Sequence, residues 1–117
     1  MAALAEGGTP RIFGDGRQTR DYVFVADVVD ATLAAIDREG GVFNVGTGRE
    51  TSVLDLYDAV TAASDVQREP EFAPPRLGEL QRSVLDPERA ARELRWRARH
   101  GLDEGLRATW KWISDSG

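Results

Sequence analysis

The stretch Arg11-Ile-Phe-Gly-Asp-Gly-Arg-Gln-Thr-Arg-Asp-Tyr-Val-Phe-Val-Ala-Asp27 decides how the chain is read. Arg11–Phe13 is a short strand candidate, and the glycines of Gly14–Thr19 punctuate a turn. Asp21–Val25 is rich in Tyr, Val and Phe and predicts a second strand. Asp27 is a good N-cap, with Asp30 in the first turn of the helix that follows. Val29, Leu33 and Ile36 then fall on one helical face, and Gly40-Gly41 predicts its end.

Outward from this stretch, short elements continue to the end of the chain. Ala2–Glu6 is helix-prone and stops at Gly7-Gly8. Val42–Val45 predicts a strand, and Gly46-Thr-Gly48 a tight turn. Ser52 predicts a helix cap, with Asp55 three residues on and Val53, Leu56, Tyr57 and Val60 as the apolar face. Glu69–Phe72 is a strand candidate before Pro74-Pro75, Arg76–Gln81 a loop, and Arg82–Leu85 another strand. Asp86-Pro87 opens a helix to about Leu94. Leu102-Asp103 starts the last helix, with Leu106, Trp110 and Ile113 on one side. The order is mixed α/β, with too few strands separated by crossover helices for a complete doubly wound domain.

The 117 residues fit one domain with a modest core. A net charge of −5 argues against nucleic acid as partner, since phosphate neutralisation needs a basic face. No cysteine is present, so a disulfide scaffold, a thiol nucleophile and a cysteine zinc site are excluded. The longest purely apolar run, Tyr22–Ala26, is far too short to span a membrane. No signal-peptide pattern opens the chain, so a cytoplasmic location is expected.

Arginine is the chemistry-bearing residue type. A guanidinium fork pairs with phosphate oxygens and keeps its charge near neutral pH, so Arg20 and Arg76 together suit a diphosphate. With 14 arginines and a single lysine, Lys111, composition alone favours solvated surface arginines. By residue type Phe13, Tyr22 and Val53 are core-packing residues. His100 stands alone and reads as a surface histidine, without a second histidine for a metal. Asp27, Asp30 and Asp37 read as capping and a solvated face, and the tryptophans Trp96, Trp110 and Trp112 as helix packing. Gly14-Asp-Gly16 and Gly46-Thr-Gly48 fail as dinucleotide fingerprints, because the third glycine of G-x-G-x-x-G falls at Thr19 and Thr51.

Taken in order, these segments resemble the extended short-chain dehydrogenase/reductases, the NAD-dependent nucleotide-sugar epimerases and dehydratases. The likeness rests on Thr19-Arg-Asp-Tyr22 with Phe24-Val-Ala-Asp27, Phe43-Asn-Val-Gly-Thr-Gly48, Ser52-Val-Leu-Asp-Leu56, Phe72-Ala-Pro-Pro-Arg-Leu-Gly-Glu79, Val84-Leu-Asp-Pro87 and Glu93-Leu-Arg-Trp96. Within that family it is nearest to UDP-glucose 4-epimerases. The resemblance implies the C-terminal, substrate-binding portion of the fold without its complete Rossmann domain. It implies that Arg20 and Arg76 hold the diphosphate of a UDP-sugar, and that Tyr22 lies near the diphosphate–ribose end. Phe13 and Val53 would line base and ribose, and Glu79, where aspartate is common in the family, would accept from a ribose hydroxyl.

The family's chemistry needs a tyrosine base with a lysine four residues later to lower its pKa. Ala26 and Thr61 occupy those positions after Tyr22 and Tyr57, so no catalytic residue is assigned. No cofactor-binding residue is assigned either, although NAD serves the full-length family. Three roles remain open: an inert portion of an epimerase or dehydratase, a stand-alone binding or homo-oligomerisation module, and half of an enzyme completed by a separate cofactor-domain chain. The resemblance implies that the Val42–Val45 strand belongs to the sheet of the cofactor domain, and without that neighbour it predicts a homodimer.

Overall fold

A computed structural model describes residues 1–36 and 41–116. Asp37 and Gly40 lie outside the described residues. The order is α1 (Ala2–Ala5), β1 (Arg11–Phe13), β2 (Thr19–Arg20), α2 (Val25–Ala35), β3 (Thr51–Ser52), α3 (Val53–Ser64), β4 (Glu71–Ala73), α4 (Glu88–Glu93) and α5 (Leu102–Ser116). Two small sheets hold the strands. β1 pairs in parallel with β4, Ile12 opposite Phe72, and β2 pairs antiparallel with β3, Thr19 opposite Ser52.

Local signals explain most of these elements. Ser52 Oγ accepts from Asp55 N at 3.1 Å and caps α3, as its spacing predicts. Asp86 Oδ1 accepts from Glu88 N at 3.0 Å at the start of α4, with Pro87 taking the N-cap position. Gly16 has φ +77°, and a Cβ there would come within 2.7 Å of Leu54 Cγ, so the turn after β1 admits no side chain.

Three predicted strands are not strands here. Residues 21–24 are irregular, and the helix begins at Val25 with Phe24 as N-cap. Val42–Val45 and Arg82–Leu85 join no ladder among the described residues. Their β-prone side chains are used for packing: Phe43 and Val45 lie against the core of Ala31, Ala90 and Trp96. Burying Trp96 is worth on the order of 3–5 kcal/mol by the usual truncation cost.

Asp27 corrects a second reading. It is neither a cap nor part of a solvated face, but has 0% of its surface exposed. Its Oδ2 accepts from His100 N at 3.0 Å, and its Oδ1 lies 2.9 Å from His100 Nδ1. Trp96 Nε1 donates to the Asp27 carbonyl at 2.9 Å. The segment after α4 is thus stapled to α2, and His100 is half-buried rather than a free surface histidine.

The predicted apolar face of α2 does form, but it is bare. Val25, Val29, Leu33 and Ile36 are 67%, 52%, 61% and 71% exposed. The radius of gyration is 16.1 Å, with extents of 46 × 35 × 18 Å. A compact domain of this length has a radius of about 13 Å, so the chain is a flattened slab. Its mixed α/β fold is a partial one.

The Asp27–His100 pair generates a pH prediction. Burial raises the Asp27 pKa, but hydrogen bonds from the His100 side chain and from the His100 and Arg99 backbone outweigh it and leave it lowered. The hydrogen bond to Asp27 raises that of His100 above 6.5, against a smaller opposing effect of burial. A raised histidine pKa stabilises the fold fully below 6.5 and loses that contribution as pH climbs through the folded value. The lowered carboxylate pKa gives a contribution present above 3.8 and lost on acidification. Urea unfolding of wild type and His100→Gln should therefore differ most between about pH 4 and 6.5 and converge toward pH 8.5. An undiminished difference at alkaline pH would contradict the pairing.

Candidate functional site

β1, β4 and the loop after Ala73 enclose a cleft of about 680 Å³. Phe13 at the end of β1, Arg76 and Glu79 in the loop, and Gln18 in the turn line it together. The Arg76 guanidinium lies over the Phe13 ring, its Cζ 4.0 Å from the centroid, a cation–π stack. Three of the six residues singled out from the sequence therefore share one wall.

Arg20 sits beside this wall and is already engaged. Its Nη1 donates to the Thr19 carbonyl at 2.6 Å and the Leu80 carbonyl at 2.7 Å, and its Nη2 to Glu79 Oε1 at 3.3 Å. Both side chains are 28% exposed, so the pair is partly screened. With Thr19 N donating to the Gln81 carbonyl at 2.8 Å, these bonds fasten the 76–81 loop to β2. Glu50 reinforces them from β3's side: Arg82 meets its carboxylate with two bonds of 2.8 and 2.6 Å, and Thr19 Oγ1 donates to it at 2.8 Å. The Arg82 hydrogen bond leads in holding the Glu50 carboxyl at a pKa of about 2.

Tyr22 and Val53 are placed differently. Burial leads in raising the Tyr22 pKa; the Glu79 carboxylate adds to the shift, and Arg20 opposes it. The hydroxyl thus stays protonated at neutral pH and is a donor, not a base. It lines a separate cleft with Thr47, Arg49 and His100. Val53 opens α3 outside the first cleft, and its N–H donates to the Gln18 carbonyl at 3.0 Å.

Two positioning residues escaped the sequence reading. Gln18 is buried, and its Nε2 donates to the Phe13 carbonyl at 2.9 Å, so it joins Phe13 to Val53. Nothing in a glutamine within a turn signals that. Asp21 accepts from Thr47 N, Thr47 Oγ1, Gly48 N and Leu85 N, at 3.0, 2.6, 2.9 and 3.4 Å. A Cβ on Gly46 would stand 2.8 Å from Asp21 Oδ2, which explains the glycine.

The Gly46–Gly48 turn leaves no free amide at Thr47 or Gly48 for a phosphate. The Thr47 and Gly48 amides are spent on the Asp21 carboxylate, and Gly16 is filled by Leu54. Among the described residues, no group of three His, Cys, Asp or Glu could hold a metal ion. No described helix is long and apolar enough to cross a membrane.

Two short sheet pairings, a bare helix face and arginines around one loop define a partial mixed α/β fold. The family model described as GDP-mannose 4,6 dehydratase matches residues 1–109, and the chain belongs to that family of NAD-dependent epimerases and dehydratases. It is 53% identical over 109 residues to a UDP-glucose 4-epimerase of Mycolicibacterium smegmatis, covering 92% of this chain and 35% of that one. It superposes with a TM-score of 0.94 and 38% identity on the UDP-glucose 4-epimerase of Thermotoga maritima solved with UDP-glucose, covering 98% of this chain and 38% of that one. The UDP-glucose 4-epimerase of Stenotrophomonas maltophila, solved with NAD and formylated UDP-arabinopyranose, gives a TM-score of 0.89 at 34% identity, with 98% and 38% covered. The chain thus spans little more than a third of the length of the relatives it matches.

Proposed function

We propose that these 117 residues form a single substrate-binding-type domain, the part of a UDP-sugar epimerase that holds the sugar nucleotide. The gathering of Phe13, Arg76 and Glu79 on one cleft, with Arg20 tied to Glu79, carries this reading. Phe13 offers a ring for a base, Val53 stands one hydrogen-bonded step away through Gln18, and Glu79 supplies an acceptor for a ribose hydroxyl. Arg20 and Arg76 supply cationic forks for the diphosphate; Tyr22 lines the neighbouring cleft and takes no part in this wall. The relatives crystallised with UDP-sugars support the same ligand class.

By themselves the residues are catalytically silent, because no tyrosine is followed by a lysine four residues on, and the Thr47 and Gly48 amides of the second glycine turn already serve Asp21. The cofactor comes from residues outside these 117, on the same polypeptide or a separate cofactor-domain chain. The Glu79 carboxylate and the Leu80 carbonyl compete with an incoming diphosphate for Arg20, so binding is weak, roughly millimolar or about −4 kcal/mol. Calorimetry should find no micromolar affinity for NAD. NMR titration with UDP-glucose should show weak binding that Arg20→Ala removes, each arginine–phosphate bond being worth on the order of 1.5–3 kcal/mol. Glu79→Asp keeps an acceptor but frees Arg20, and should tighten binding several-fold, about 0.5–1 kcal/mol for a half-exposed pair. Unchanged titration shifts in Arg20→Ala would refute the clamp.

A second reading, a stand-alone homo-oligomerisation module, is favoured by the bare face of α2. Apolar surface of this kind is covered most economically about a two-fold axis. The 117-residue chain should sediment as a homodimer across a concentration series, and Leu33→Glu should shift it to monomer. A strictly monomeric, cooperatively folded wild type would count against self-association.

A further inference from the structure

After α4 the chain turns at Arg95, whose φ is 55°, a left-handed conformation that L side chains rarely adopt. The turn sends Trp96 into the core, and the next residues alternate like a strand. Trp96 is buried and Ala98 half-buried, while Arg95, Arg97 and Arg99 are exposed. The anchors are the Trp96 bond to the Asp27 carbonyl and the His100 bonds to the Asp27 carboxylate. Three arginines at every second position are thereby held on a fixed backbone.

Arg97 and Arg99 line a cleft of about 440 Å³, with Arg49 from the loop before β3, the Tyr22 ring, His100 and Gly101. No ion pair is formed by Arg49 or Arg99 among the described residues. Arg97 meets only the exposed Glu88, at 3.3 Å, a contact worth little in water. The one acid lining the cleft, Glu50, is neutralised by the two bonds from Arg82. The 15-residue α5 begins at Leu102 on the same wall and turns the positive end of its dipole toward it, with Asp103 and Glu104 in its first turn. Arg49 and Arg99, which form no ion pair among the described residues, and Arg97, whose partner is the exposed Glu88, thus converge in a chain whose net charge is −5. None of the residues lining this cleft lines the Phe13–Arg76 cleft.

We propose that this cleft is a second anion site, which takes the phosphate group of a small phosphorylated molecule between Arg49 and the Arg97–Arg99 edge. Tyr22 supplies a neutral donor to the same group, and the arginine forks supply charge-assisted bonds. The assignment does not depend on the function proposed for the first cleft.

The test is an NMR titration of the ¹⁵N-labelled 117-residue chain with inorganic pyrophosphate at about 0.15 M salt, where loose surface attraction is screened. Saturable shifts are expected at the amides of Arg97, His100, Gly101 and Leu102. Arg49→Glu/Arg99→Glu should weaken binding by about tenfold or more, and the neutral pair Arg49→Gln/Arg99→Gln should do so to a lesser degree. Both exchanges are at exposed positions, and an unchanged spectral dispersion confirms the fold. Arg76→Ala, which removes an arginine of the other cleft, should leave the shifts at Arg97, His100, Gly101 and Leu102 unaltered. The proposal is overturned if shifts do not saturate, if sodium chloride at matched ionic strength reproduces them, if the charge reversal leaves them intact, or if Arg76→Ala removes them.

Discussion

The carboxylate of Asp21 is the constraint on which the site depends. Burial raises its pKa, but the bonds from Thr47 Oγ1 and from the Thr47, Gly48 and Leu85 amides outweigh that and keep it ionised. One side chain therefore fixes the end of β2, the glycine turn and the segment after the 76–81 loop. Removing it leaves backbone donors without partners, at about 1–3 kcal/mol for each buried one. Its neighbours in sequence are Arg20 and Tyr22, so the bonds that fix Asp21 also set the directions in which those side chains leave the backbone. Gly46 is required by the same contact, since any Cβ there would collide with the carboxylate and with Leu85.

Six residues further on, Asp27 does the equivalent for the other half of the slab. It holds Trp96 and His100 against α2, and around that staple lie Ala31 and Ala90, the rest of the small core. Two aspartates in one short segment thus organise a chain whose sheets have two strands each among the described residues. Such sheets cannot supply stability by themselves. The α3–α5 packing and these polar staples take that role, and the apolar face of α2 is left uncovered.

What the sequence made legible follows from locality. The Ser52 cap, the α5 face and the β1 strand depend on residues a few positions apart, and they stand as read. Val42–Val45 and Arg82–Leu85 have strand composition, but a strand also needs a partner, and pairing is not a local property. The shift of the helix start from Asp27 to Val25 has the same origin: Asp27 is a good cap by type, yet the distant His100 and Trp96 claim it for the core. Within the site, ordered motifs picked out Phe13, Arg76 and Glu79, which the fold does bring together. They gave no hint that Glu79 would occupy Arg20, or that Gln18 would bridge Phe13 and Val53, because those contacts arise only when the loop folds back.

Hydrogen–deuterium exchange on Asp21→Asn tests most directly whether this carboxylate holds the site together. The amide keeps the side chain's shape but loses the charge and one acceptor. The account predicts faster exchange at Thr47, Gly48 and Leu85 and through the 76–81 loop, with α3 and α5 as protected as in wild type. Unchanged protection at those three amides would contradict it, because the site would then be held by something other than Asp21.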